Sequence, residues 1–111
     1  MSYEPVEDTP VLSCLMAMTA ASLERCDLSD REMMIARVSA LIATGAPPAS
    51  YALNAPAASE SGLTLEDAQA VLVAVAPIVG APRTLAGAGA MEEGLGLALA
   101  VTVAMLAEED G

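Results

Sequence analysis

The chain has 111 residues, with 4 Lys+Arg against 15 Asp+Glu, a formal net charge of −11. That length fits one domain with one core, and so acidic a chain is repelled by phosphate backbones and anionic lipid surfaces, which sets aside nucleic acid and membranes as partners. Apolar residues make up 55%, too many for a disordered tail, and His, Lys, Trp and Phe are absent, so the usual general base, the commonest metal ligand and any Schiff-base amine are missing and no cofactor or metal is expected.

Residues 1–8 are acidic and aperiodic and read as a flexible arm ahead of a single helical domain over 9–111. Thr9 and Pro10 suit an N-cap with proline in the first turn, opening a helix over Pro10 to Arg25. Its Val11, Leu12, Leu15, Met16, Met18 and Leu23 make a broad apolar stripe. Ser29 and Glu32 stand at capping-box spacing, so a second helix starts near Asp30 and runs to Thr44, where Gly45 supplies a left-handed stop. Its Arg31 and Arg37 are expected to be solvated or paired with nearby acids. Pro48 opens a third segment, to Ser61, that Pro56 should interrupt.

Leu63-Thr64-Leu65-Glu66-Asp67 supplies a hydrophobic residue, a cap and first-turn acids, starting a helix over Leu65 to Val79. Val73, Ala74 and Ala76 back its Ala68, Val71, Leu72 and Val75, so it is apolar all round and expected at the centre. Pro77 should bend or tighten its last turn. A final helix from Pro82 should break at Gly94 to Gly96 and continue from Leu97 to Glu108. No period-two run is present, so the fold class is all-α, a compact domain of five to six helices.

Cys14 and Cys26, the two thiols, are too few for a disulfide framework and read as reduced, Cys14 in the core and Cys26 at a helix end. The seven Met residues read as filling gaps in an aromatic-poor core. The N-terminal stretch lacks the basic start of a signal peptide, and the longest uncharged run, 38–59, holds Pro47, Pro48 and Pro56, so a cytoplasmic protein without a membrane span is expected. So much apolar surface on a short chain also points to a homo-oligomer.

Arg31 to Met91 resembles the carboxymuconolactone decarboxylase and alkylhydroperoxidase D-like family. The resemblance rests on the Ala-rich second helix, Ala58, the run Gly62-Leu63-Thr64-Leu65-Glu66-Asp67, and Gly80-Ala81-Pro82 after an apolar helix. In thiol-dependent members Cys-x-x-Cys and a His four residues later precede that glycine; the matching positions are Pro47, Ser50 and Asn54, none fit for thiol redox chemistry. In decarboxylase-like members a His and a Tyr stand where this chain has Ala74 and Ile78. The resemblance thus implies a family-like helical protein without the thiol redox centre that binds a small molecule or serves in assembly. The alternative is a cofactor-independent lyase or isomerase acting on a small lactone or carboxylated substrate, and a thiol peroxidase using Cys14 or Cys26 is a third reading.

The candidate ligand-binding residues are Ser50, Tyr51, Asn54 and Glu92. The first three are assigned by spacing to one helical face, in the segment where the family keeps its active site, and Glu92 with Glu93 interrupts an apolar helix. Glu32, Glu66 and Asp67 occupy helix first turns, where capping accounts for them. A closed cavity lined by Asn54 beside a buried carboxylate would favour catalysis, and a solid core there would favour binding or assembly.

Overall fold

The computed structural model describes residues 9–96, so the acidic arm and the expected helix over 97–108 lie outside the described residues. Within them the chain forms six helices and no strand: α1 (Pro10–Arg25), α2 (Asp30–Thr44), α3 (Pro48–Leu53), α4 (Ala55–Glu60), α5 (Leu65–Val79) and α6 (Ala81–Leu95). Two reciprocal caps fix the frame. The Ser29 hydroxyl accepts from the Glu32 N–H at 3.1 Å while Glu32 Oε1 accepts from the Ser29 N–H at 3.0 Å. Thr64 and Asp67 repeat the pattern at 3.0 and 2.9 Å, so α2 and α5 each start with two otherwise orphaned donors satisfied.

α2 stops where Gly45 takes φ 71° and the Gly45 and Ala46 N–H groups donate to the Ile42 and Leu41 carbonyls. The next segment is interrupted, as Pro56 requires. α3 ends at Leu53, Asn54 (φ −100°, ψ 0°) breaks the ladder, and Pro56 falls in the first turn of α4, where a missing N–H costs nothing. α5 runs through Pro77 to Val79, and Gly96 at φ 71° ends α6.

The main core gathers Val38, Ile42, Tyr51, Ala68, Val71, Leu72, Ala88 and Met91 from α2, α3, α5 and α6. Met33, Met34 and Ala58 form a second cluster, against which Leu23 and Cys26 pack. α3 lies close on α6 because Gly94 has no side chain. A Cβ there would sit 2.6 Å from Tyr51 Cβ and 3.2 Å from the Ala52 nitrogen, and would overlap the Pro48 carbonyl oxygen.

Three burial expectations are corrected. α5 is not enclosed: Val73 is 75% exposed and Ile78 85%, because α2 and α6 cover one side only and an all-apolar helix does not say which. α1 buries no residue at all, and its Met16 and Met18 are exposed while Met33, Met34 and Met91 are in the core. Cys14 shares the exposure of α1 and is not a core residue, whereas Cys26 is half-buried at the helix end.

Arg31 and Asp67 tie the first turn of α2 to that of α5 through a two-pronged pair, Arg31 Nη1 on Asp67 Oδ2 and Nη2 on Oδ1. The Arg31 guanidinium, together with the Thr64 N–H, holds the Asp67 carboxyl at about 2, below its ordinary 3.8. A folded-state value below the unfolded one stabilises the protein above the unfolded pKa, and that contribution disappears as pH falls from about 3.8 through about 2. Urea unfolding across this window should therefore show falling stability, and Asp67→Asn should flatten the slope while lowering stability at neutral pH. An unchanged slope in the variant would remove Asp67 from the account.

Candidate functional site

Asn54 marks the α3–α4 break, and that position gives it two partners. Its Nδ2 donates back to the Ser50 carbonyl at 3.0 Å, which fixes the amide, and its Oδ1 accepts from Arg37 Nη1 at 2.6 Å. Arg37 Nη2 reaches the Thr19 carbonyl of α1 at 3.4 Å. One guanidinium thus joins α1, α2 and the α3–α4 junction.

Arg37 is half-buried and has neutral oxygens for partners, with no carboxylate among the described residues. Other arginines are engaged differently: Arg31 has Asp67, and Arg83 Nη1 donates to the Ala43 carbonyl at 2.8 Å, sealing the negative end of α2. In a chain of net charge −11, a half-buried cation that meets no acid among the described residues stands out.

Beside this junction lies an apolar cleft of about 360 Å³ between α1 and α3, lined by Leu12, Leu15, Ala49, Ser50, Ala52 and Leu53. Leu15 and Ser50 each precede an Arg37 partner, Thr19 and Asn54, by four residues, so the cleft begins one helical turn from the guanidinium along both helices. Ser50 supplies the one hydroxyl of its lining.

Of the four residues singled out by sequence, Ser50 and Asn54 come together, joined by a hydrogen bond. Tyr51 turns the other way: it is fully buried in the main core, its hydroxyl has no hydrogen-bond partner among the described residues, and burial raises its pKa. Glu92 is half-buried on α6 and is not a free carboxylate. No charged residue is buried among the described residues, and Tyr51 packs a solid core where a catalytic cavity was one expectation.

Arg37 was not among the residues singled out, and it is half-buried and meets no acid among the described residues. The signal was its place on the inner stripe of α2, four residues after Met33, three after Met34 and four before Leu41. Of the positions matched to family chemistry, Pro47 is the N-cap residue of α3, while Ala74 and Ile78 are exposed on α5. Among the described residues, no three His, Cys, Asp or Glu side chains converge on a metal position, and no helix is long and apolar enough to cross a membrane.

No curated protein and no solved structure matches the chain. A protein family does match, over residues 10–93, which takes in α1 to α5, most of α6, the Arg37 junction and the neighbouring cleft. On that match the chain belongs to the carboxymuconolactone decarboxylase family.

Proposed function

We propose that this family member binds a small, largely apolar molecule carrying a carboxylate, in the α1–α3 cleft, without thiol redox chemistry. The observation that supports this reading is Arg37, a half-buried cation that meets no acid among the described residues, one turn from an apolar cleft with a hydroxyl in its wall. A carboxylate can take the charge-assisted contacts that Asn54 and Thr19 make only as neutral acceptors. Pro47, Ser50 and Asn54, at the family's thiol and His positions, offer no thiol and no imidazole. The lyase or isomerase alternative needs a general base at the cleft, whose lining is aliphatic apart from Ser50.

Self-association in the cytoplasm completes the proposal. It is supported by the free thiols and by the large exposed side chains of α1 and α5, including Val11 at 73% and Met18 at 62%.

The test is thermal shift at fixed protein concentration, with a panel of small apolar carboxylates and their uncharged amides. A ligand at about 100 times its Kd should add roughly 2.7 kcal/mol to stability. Carboxylates are expected to raise Tm and their amides not, and Arg37→Gln should weaken carboxylate binding about 10- to 100-fold. Equal shifts from acids and amides, or an unaffected variant, would refute the proposal.

A further inference from the structure

α1 meets the rest of the protein along one stripe, Leu12, Leu15, Thr19, Leu23 and Cys26, spaced as the inner face of a helix. The stripe changes character along its length. Leu23 and Cys26 pack against the Met33, Met34 and Ala58 cluster, which ties the C-terminal end of α1 to α2 and α4. Leu12 and Leu15 instead form a wall of the α1–α3 cleft, 44% and 40% exposed. Between the two halves stands Thr19, whose carbonyl accepts from Arg37 Nη2.

The two ends of α1 differ in the same sense. Arg25 in the last turn suits the negative end of the helix, whereas no acid stands in the first turn, where α2 and α5 each have two. No residue of α1 is buried, and its apolar packing on the body lies at Leu23 and Cys26. Residues 26–29, which are not helical, join that anchored end to α2 and supply a hinge. The half that walls the cleft is thus the end farthest from both anchor and hinge.

Arg37 holds α1 by the looser of its two bonds. Nη1 lies 2.6 Å from Asn54 Oδ1, while Nη2 lies 3.4 Å from the Thr19 carbonyl oxygen, longer than the roughly 2.7–3.2 Å of ordinary N–H···O bonds. A carboxylate in the cleft competes well for Nη2, because its bond is charge-assisted and the Thr19 acceptor is neutral. Nη1 keeps Asn54 throughout. The apolar body of such a ligand then lies between Leu12 and Leu15 on one side and Ala49 and Leu53 on the other, joining α1 to α3 through apolar contact.

We infer that α1 is a hinged flap over the cleft, anchored at Leu23 and Cys26 and latched at mid-length by Arg37 on the Thr19 carbonyl. A bound carboxylate takes over Nη2 and closes the flap through Leu12 and Leu15. The closing step rests on the binding proposed above; the flap and its latch do not.

Amide exchange reads the flap, since a 16-residue helix lifted off the body is marginal in water and opens its own ladder. In the free protein, amides of residues 11–18 should lose protection about 10-fold or more relative to 33–43 in α2. Arg37→Gln should speed 11–18 by about a further 5- to 10-fold, the effect of one lost hydrogen bond from a charged donor. Exchange in α2 and the reaction of half-buried Cys26 with a thiol reagent should stay unchanged, which separates an opened flap from general unfolding. Should Arg37→Gln disturb those too, the wild type with octanoate replaces it. Octanoate should slow 11–18 by about 5-fold or more, and octanamide should not.

Protection at 11–18 equal to that of α2 overturns the flap. A folded Arg37→Gln variant with unchanged exchange at 11–18 overturns the latch. Octanoate that raises Tm without slowing 11–18 overturns the closing step and leaves the binding proposal standing. Octanoate that leaves Tm unchanged counts against the binding proposal and removes the closing step with it, while the free-protein comparison still decides the flap.

Discussion

Gly94→Ala should cost the protein about 3 kcal/mol or more, which for a domain of this size lowers Tm by roughly 12 °C or more. The added methyl would meet the Pro48 carbonyl oxygen and the Ala52 nitrogen, both backbone, as well as Tyr51 Cβ at 2.6 Å. Side chains can rotate away from an intruding atom, but the backbone of α3 moves only by lifting off α6, and Tyr51 would leave the core with it. Gly89→Ala is the internal control. It makes the same change in the same helix with nothing within 4 Å of the new atom, and should stabilise by up to about 1 kcal/mol through helix propensity. Urea unfolding of the two variants should give shifts of opposite sign. Equal shifts would mean that α3 does not cross α6 at Gly94.

Tyr51→Phe should raise stability by about 1 to 2 kcal/mol, against the usual expectation for removing a hydroxyl. The Tyr51 ring is fully buried and its oxygen has no partner among the described residues, so the wild type bears the desolvation of that group without a compensating hydrogen bond from them. Burial also raises the phenol's pKa above its ordinary 10.0. The neutral form is thus preferred in the folded state, and its stabilisation is complete below pH 10 and is lost as pH rises through the folded-state value. The phenylalanine variant should accordingly unfold later in urea at neutral pH and lose less stability on the alkaline side. A destabilised variant would show that the hydroxyl has a partner in solution.

Helix starts and stops were legible wherever a side chain satisfies the backbone locally. Ser29 with Glu32 and Thr64 with Asp67 announce their boxes at three-residue spacing, Gly45 marks a stop, and Pro56 marks the break between α3 and α4. Those signals depend on neighbours a few residues apart. The face that a helix buries was legible only where composition is asymmetric. α1 and α5 are apolar on several sides, so their sequences could not tell covered from bare, and the outward direction of Val73 and Met18 is set by which helices pack elsewhere.

The candidate site was half legible for a related reason. Ser50 and Asn54 are four residues apart and share a face, but Tyr51 is offset from Ser50 by about 100° and enters the core. The contact of Arg37 with Asn54 spans 17 residues and two helix ends, and no local pattern encodes it.

The near absence of aromatics has an optical consequence. With no Trp and no Phe, the ultraviolet signature of the chain comes from Tyr3 and Tyr51, and the Tyr51 ring is fully buried in the main core. In a Tyr3→Phe variant, near-ultraviolet dichroism in the tyrosine band reads that single ring, wedged where two helix backbones touch. Its disappearance times the parting of α3 from α6, a built-in gauge that requires no label.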